Sequence, residues 1–162
     1  MPKAKGLPEA SLALTPVEWG YIGGLIDADG SIGIYRTRSE SEKYNAENYY
    51  LRLIITNNSV ALMGWLKQNL GGGVDPRRIQ SERHSETYNW HCTQSHAAAV
   101  IRQCRASLKV KADQADVALE FIDGFTNQSG RHGMTPEVRE QRRGYWKLMA
   151  SLKGHASRSR RD

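Results

Sequence analysis

Hydrophobic and polar positions first become regular along the chain at residue 15, where they indicate a helix. Thr15 suits an N-cap, Pro16 suits the first helical position, and Glu18 completes a capping box with Thr15. We predict a helix that continues to about Ala28 and ends at Gly30, because glycine commonly follows the last helical turn.

Two segments after this helix alternate apolar and polar residues, which is the pattern of half-buried strands. They are Ser31–Arg38 and Asn48–Asn57. The polar segment 39–46 between them is expected to be a hairpin loop. The pattern thus predicts an antiparallel hairpin directly after the first helix.

The rest of the chain continues with helices and a second hairpin. Helical spacing begins near Ser59 and stops at the glycines 71–73. The further predicted elements are strands Val74–Gln80 and Glu86–Thr93, a helix capped by Ser95 and reaching Arg105, a helix Ala112–Phe125, and a last helix from Thr135-Pro136 to about Leu152.

The element order is α-β-β-α-β-β-α-α followed by a C-terminal helix. Antiparallel hairpins with helices on one side give an α+β domain whose sheet has one uncovered face. We expect a flexible leader at residues 1–14, a single domain at 15–153 and a basic tail at 154–162.

Charge and composition restrict the class of protein. The formal charge of +6 and the pI near 9.5 favour a polyanionic partner, but the excess lies in residues 131–162, with nine lysines and arginines against three acids. Two cysteines, Cys92 and Cys104, are too few for a disulfide scaffold. No apolar run suggests a membrane span or a signal peptide, so we expect an intracellular protein that is not secreted.

The predicted first helix has an unusual number of small residues. Gly20, Gly24 and Ala28 recur at steps of four, with Gly23 beside them, although each glycine costs a helix about 1 kcal/mol relative to alanine. A face without side chains lets another backbone approach closely. Gly20, Gly23, Gly24 and Ala28 therefore predict an interface with a second copy of the helix.

Two carboxylates, Asp27 and Asp29, stand at the end of the same helix. The helix dipole is negative there, so both are destabilised unless a cation lies nearby. Mg²⁺ favours one or two carboxylates together with carbonyl, water and phosphate oxygens. Paired helix ends of this kind suit metal-assisted hydrolysis of a phosphodiester.

The segment Ile22-Gly23-Gly24-Leu25-Ile26-Asp27-Ala28-Asp29-Gly30 resembles the LAGLIDADG signature, and Ser31-Ile32 after it also suits that family. The resemblance covers roughly residues 16–125. It implies the αββαββα fold with a saddle-shaped antiparallel sheet, here with an added C-terminal helix. One motif in the chain implies a homodimer. The implied function is an intron- or intein-encoded homing endonuclease that makes double-strand breaks in a long, pseudo-palindromic DNA target by metal-dependent hydrolysis.

The resemblance also implies roles for individual residues. Asp29 corresponds to the metal ligand, helped by the carbonyl of Ala28, with Asp27 in a supporting role. Lys111, with Lys109 as its close competitor, corresponds to the basic residue near the scissile phosphate. Asn57 corresponds to a polar residue that contacts metal-bound water. The implied ion is Mg²⁺, for which Mn²⁺ or Ca²⁺ can substitute in binding.

The uncovered face of the sheet is the predicted surface for double-stranded DNA. Its side chains are hydrogen-bond donors and acceptors of mixed length, as readout of base edges in the major groove requires. They are Tyr35, Thr37, Asn48, Tyr50, Arg52, Arg77, Arg78, Asn89 and His91. Two alternatives stay open on the same fold: a splicing maturase whose partner is the host intron RNA, and a non-catalytic DNA-binding protein.

Overall fold

The helices and strands follow the predicted order. A computed structural model describes residues 6–38, 47–77, 86–124 and 135–158, and side chains as far as residue 154. The elements are α1 (Pro16–Asp29), β1 (Gly30–Arg38), β2 (Glu47–Asn57), α2 (Val60–Leu70), β3 (Gly73–Arg77), β4 (Thr87–Thr93), α3 (Gln94–Cys104), α4 (Ala112–Asp123) and α5 (Pro136–Arg158). The predicted α+β class is confirmed.

The four strands form one antiparallel sheet in the order β1-β2-β4-β3. The register places Ile32 opposite Leu53 and Ile55 opposite Trp90, so the apolar positions share one face. The helices bury that face. Members of the resulting core include Ile22, Ile26, Ile32, Leu51, Leu53, Ile55, Met63, Leu66, Trp90, Ala98, Ile101, Phe121 and Met149.

Helix α1 begins as predicted and leads directly into β1. Thr15 accepts a hydrogen bond from the Glu18 N–H at 3.2 Å, and the Glu18 carboxylate accepts one from the Thr15 N–H at 2.7 Å. At the other end, the Gly30 N–H bonds to the Ile26 carbonyl, and a Cβ on Gly30 would lie 2.6 Å from that oxygen. Only glycine fits this turn, which places Asp29 beside the start of the sheet.

Residues 6–14 differ from the expected flexible leader. A short 3₁₀ helix spans Glu9–Ala13, and its Ser11 is buried. Leu7 and Leu14, on either side of it, pack against the core. The expectation is wrong for these residues because the two leucines anchor a segment that shows no regular spacing of apolar residues in the sequence.

The start of α3 also differs. Ser95 was the predicted cap, but the helix begins at Gln94, and Thr93 at the N-cap position makes no side-chain cap hydrogen bond. Gln94 has a φ of 53°, and its Oε1 accepts a hydrogen bond from the Leu51 N–H at 3.0 Å. The side chain thus satisfies a donor of β2 just beyond the last pair of the β2–β4 ladder, which a local capping pattern cannot reveal.

Helix α5 continues to Arg158, past the predicted end at Leu152 and into the expected basic tail. It packs against β1, an edge strand of the sheet, and against β2. Arg143 donates to the Glu47 carboxylate at 3.0 Å, and the Arg36 guanidinium lies 4.7 Å from the centre of the Trp146 ring. No helix within the described ranges is long and apolar enough to cross a membrane.

Several sequence predictions fall outside the described residues. They are the hairpin loop 39–46, the ends of β3 and α4 at Gln80 and Phe125, and the final residues of the basic tail.

Candidate active site

The carboxylate of Asp27 holds the segment that precedes α4. One oxygen accepts hydrogen bonds from the backbone N–H groups of Lys109 and Val110, at 2.6 and 3.2 Å. The other accepts one from the Lys111 N–H at 3.0 Å. The Lys111 ammonium donates in turn to the Asp27 carbonyl. The end of α1 and the start of α4 are therefore fixed to each other.

These contacts determine the ionisation of Asp27. Partial burial would raise its pKa, but the N–H groups of Lys109, Lys111 and Val110 and the charge of Lys111 outweigh burial and lower the pKa below its ordinary value of 3.8. The unfavourable position at the negative end of the helix dipole is thus offset by donors of the protein itself. Asp27 needs no cation for this.

A cavity of about 540 Å³ opens beside the end of α1. Asp29 is exposed there and, within the part of the chain that the structure describes, pairs with no other side chain. The residues lining the cavity come from α1, β1, the segment before α4, α4 itself and α5: Asp27, Ala28, Asp29, Gly30, Ser31, Val110, Lys111, Asp113, Gln114, Leu152 and Lys153.

The two candidate lysines differ in their positions. Lys111 is half-buried and lines the cavity, whereas Lys109 is exposed and does not. Both donate their backbone N–H groups to the Asp27 carboxylate. The spacing of the two lysines in the sequence does not show which of them lines the cavity. The geometry favours Lys111 over Lys109, because Lys111 lines the same cavity as Asp29.

Asn57 is not among the residues that line this cavity. Its Oδ1 accepts a hydrogen bond from the Ser59 N–H at 2.9 Å, and Ser59 caps α2 by accepting from the Leu62 N–H at 3.2 Å. The side-chain carbonyl of Asn57 therefore supports the turn into α2. Its contact with a metal-bound water stays a prediction.

Gln114, unlike Asn57, lines the cavity. This α4 residue is 8% exposed, and its Oε1 has no hydrogen-bond partner among the described residues. A buried amide oxygen is normally satisfied, by protein, water or ligand. Its position on the cavity wall indicates that it accepts from a molecule held there. In the sequence, Gln114 is three residues after Lys111, but only the helix register turns it inward.

The predicted DNA-reading residues share the uncovered face of the sheet. Tyr35 is paired with Tyr50 and Thr37 with Asn48, and the register continues the same face across β4 and β3. The Tyr35 and Tyr50 rings stack at 5.6 Å, and His91 contacts Asp75 at 2.7 Å. The set on this face is Tyr35, Thr37, Asn48, Tyr50, Arg52, Arg77, Asn89 and His91. Arg78 lies outside the described residues.

The small residues of α1 lie on two different faces. Gly24 and Ala28 are exposed, and a Cβ on Gly24 would meet no atom within 4 Å. Gly20 is partly buried, with Ser107 3.8 Å from its Cβ position. Gly23 is buried, and a Cβ there would lie 2.8 Å from the Ser107 Cβ.

The prediction that Gly23 belongs to an interface with a second copy is therefore wrong. Its missing side chain makes room for the segment between α3 and α4 of the same chain. The exposed face of α1 instead carries Val17 and Tyr21, which are 82% and 52% exposed, in line with Gly24 and Ala28.

The oxygen atoms at the cavity suit a hard divalent cation. The Asp29 carboxylate is open, and the Ala28 carbonyl lies in the last helical turn, where carbonyls lack intrahelical partners. Among the described residues, no three His, Cys, Asp or Glu side chains come together as a metal-binding group. One chain therefore offers a small set of oxygen ligands, which water and phosphate oxygens would have to complete.

Comparison with known families gives one clear match. The model for the LAGLIDADG endonuclease family matches residues 22–118, which is more than half of the chain. The matched stretch includes the end of α1, the whole sheet and Lys111. Comparison with curated protein sequences finds no significant match.

Solved structures with a similar fold are homing endonucleases. I-CvuI, in complex with its target in the presence of calcium, is 15% identical with a TM-score of 0.58, over 83% of this chain and 96% of that one. The archaeal intron-encoded I-Vdi141I, complexed with DNA, is 17% identical with a TM-score of 0.64, over 84% of each chain. I-SmaMI bound to cleaved DNA is 21% identical with a TM-score of 0.63, over 81% of this chain but 43% of its own.

Proposed function

The chain belongs to the LAGLIDADG endonuclease family, and we propose that it is a site-specific homing endonuclease that cuts both strands of a long, pseudo-palindromic DNA target. One observation carries this proposal. The open carboxylate of Asp29 faces the same cavity as the ammonium of Lys111, which the contacts of Asp27 hold in place. A gene carried by an intron or an intein fits such an activity.

The proposed cofactor is Mg²⁺, held by the Asp29 carboxylate and the Ala28 carbonyl, with Mn²⁺ or Ca²⁺ able to replace it in binding. Such an ion would acidify a bound water and stabilise the leaving oxygen of the phosphodiester. The chain contributes the remaining groups. Lys111 stabilises the charge that develops on the phosphate, and Gln114 accepts a hydrogen bond from a molecule in the cavity.

The uncovered sheet face is the proposed DNA surface. Strands fit the major groove, where arginine pairs with guanine and asparagine with adenine. Arg52 and Asn48 lie on that face, next to the stacked pair Tyr35 and Tyr50. Contacts with phosphates should make binding strongly dependent on salt.

Cutting both strands calls for two copies of the site, and α1 supplies a surface for pairing them. Its exposed face combines large apolar side chains, Val17 and Tyr21, with the small residues Gly24 and Ala28. Apolar groups at this exposure are costly in water, and small residues let two helices approach closely. We therefore propose a homodimer that forms through α1.

Gly24→Leu is the variant that tests this dimer. The site is open in the single chain, so the substitution should leave folding intact and weaken the dimer by roughly 2 kcal/mol, or about thirtyfold, because the new side chain separates the helices. Gly64→Leu is the matched control, since Gly64 is an exposed helical glycine of α2 that also meets no atom within 4 Å.

Sedimentation equilibrium measures the dimer, and cleavage of both strands measures its consequence. We expect Gly24→Leu to become monomeric at micromolar concentration and to lose double-strand cleavage, while Gly64→Leu behaves as the parent protein. A parent protein that is itself monomeric at that concentration would contradict the dimer.

The activity itself is tested with a randomised DNA library, incubated with the protein and Mg²⁺ and sequenced for cut molecules. A single enriched, nearly symmetric target, cut with Mg²⁺ and uncut with EDTA, supports the proposal. Binding of one DNA sequence without cutting would favour the non-catalytic alternative. Tighter binding of folded intron RNA than of any DNA would favour a maturase.

A further inference from the structure

We propose that Lys153, from α5, binds a phosphate of the DNA strand at the active site. This inference rests on the proposed function and adds a residue that lies beyond the part of the chain matched to the family, which ends at residue 118. The ligand chemistry is a phosphodiester oxygen of the DNA backbone. Lys153 would therefore act beside Asp29 and Lys111 on the same cavity.

The position of the Lys153 ammonium is the first support. It donates to the Ser31 hydroxyl at 3.0 Å and lies 5.8 Å from the centre of the Tyr35 ring. Ser31 and Tyr35 both belong to the uncovered face of β1. The side chain thus passes from α5 around the edge strand and presents its charge on the proposed DNA surface.

Gly33 provides the space for this path. A Cβ on Gly33 would lie 2.8 Å from the Lys153 Nζ and 2.8 Å from the Tyr35 Cε2. Any other residue would push the ammonium or the ring away. Glycine at position 33 thus leaves room for the Lys153 ammonium beside the Tyr35 ring.

The surroundings of Lys153 indicate a partner outside the chain. Within the described ranges, no carboxylate oxygen lies within 4.0 Å of its Nζ, although Asp29 and Asp113 line the same cavity. Burial and the charge of Lys111 both lower the pKa of Lys153. A half-buried ammonium beside another cation is costly unless an anion joins them.

A DNA phosphate meets these conditions. It would lie at the cavity mouth between two ammonium groups, next to the open carboxylate that is proposed to hold the metal ion. Asp27 does not compete for Lys153, because its oxygens are occupied by the backbone of residues 109–111. If Lys153 only helped to attach α5 to the sheet, an uncharged side chain of similar size would serve as well.

The test compares Lys153→Met with the parent protein and with Lys67→Met. Methionine keeps most of the length and removes the charge. Lys67 is an exposed lysine of α2, a helix that packs on the covered face of the sheet, so it is a charge-matched control away from the proposed DNA surface. Lys153→Arg, which keeps the charge, is the rescue variant.

We expect Lys153→Met to slow single-turnover cleavage at saturating DNA by about tenfold to a hundredfold. The slope of log affinity against log salt concentration should fall by about 0.9 per chain, as the loss of one phosphate contact predicts. Its melting temperature should equal or exceed that of the parent, because a half-buried charge has been removed. Lys67→Met should change none of these, and Lys153→Arg should keep the parent slope.

The other possible outcomes each decide whether Lys153 binds a DNA phosphate. A Lys153→Met protein that keeps the parent rate and slope overturns the inference and leaves the proposed function standing. A Lys153→Met protein that melts well below the parent, with an unchanged slope, assigns Lys153 to the attachment of α5 and also overturns it. If the parent binds DNA without cutting it, the proposed function fails, and the salt slope still decides the role of Lys153. If the parent protein binds no DNA, both the proposed function and the proposed role of Lys153 are overturned. Added inorganic phosphate that abolishes the difference between the variants at constant ionic strength would assign the site to free phosphate.

Discussion

Replacing Asp29 with asparagine is expected to abolish DNA cleavage, by at least roughly a thousandfold or about 4 kcal/mol, while DNA binding stays within a few-fold of the parent. The amide has the same shape but carries no charge, so it is a poor ligand for Mg²⁺. Asp29 is exposed at the C-terminal end of α1, where a negative charge is unfavourable. The variant should therefore melt at the same temperature as the parent or slightly higher.

The measurement is single-turnover cleavage of the selected target in Mg²⁺, with binding measured separately in Ca²⁺. Glu120→Gln is a suitable control, because it makes the same acid-to-amide change at an exposed position of α4 that does not line the cavity. It should cut at the parent rate. Cleavage by Asp29→Asn at more than a tenth of the parent rate would remove Asp29 from the proposed chemistry.

Replacing Asp27 with asparagine is expected to damage both stability and activity. The carboxylate accepts three backbone hydrogen bonds, whereas one end of an amide is a donor and would oppose an N–H group. We expect a loss of about 2 kcal/mol in the free energy of unfolding. Cleavage should fall by roughly a hundredfold, or about 3 kcal/mol, because the segment that carries Lys111 is released.

The pH dependence of Asp27→Asn follows from the direction of the pKa shift. Since folding lowers the pKa of Asp27 below 3.8, its ionised form stabilises the folded protein. That stabilisation is fully present above the ordinary carboxylate value and is lost as the pH falls through the lower folded value. The stability difference between parent and variant should be constant near pH 7 and should shrink below about pH 4.

Urea denaturation of parent and variant at several pH values measures this difference. A stability gap that persists unchanged at pH 3 would mean that the charge of Asp27 is not what holds the segment. Asp75→Asn is a useful comparison, because Asp75 is an exposed acid of β3 whose side chain, among the described residues, contacts only His91. It should cost less stability than Asp27→Asn.

Much of the fold could be predicted from the sequence because its signals are local. The capping box of α1 and the alternation in β2 depend on residues a few positions apart, and the structure confirms both. The shared face of Tyr35, Tyr50 and Asn89 followed from the same alternation. Such patterns are the direct result of helix and strand geometry.

The candidate active site was less predictable, because its residues meet only in the folded chain. Lys109 and Lys111 both donate backbone N–H groups to the distant Asp27 carboxylate, and only the folded chain shows that Lys111, and not Lys109, lines the cavity. Gln114 lines the cavity only through the register of α4. Lys153 was missed because the predicted helix ended one residue before it. Gly23 was misassigned because a small residue serves packing within the chain as well as packing between chains.

The contact between Asp27 and residues 109–111 also affects when, during synthesis and folding of the chain, the candidate active site is complete. Asp27 and Lys111 are 84 positions apart, so the contact between them closes a long loop of the chain. Closing this loop costs conformational entropy, and we expect the contact to form late in folding. The acidic helix end emerges first during translation, and the lysine follows much later. A nascent or prematurely terminated chain that lacks α4 would therefore carry the proposed metal ligand, Asp29, without Lys111, and we expect such fragments not to cut DNA.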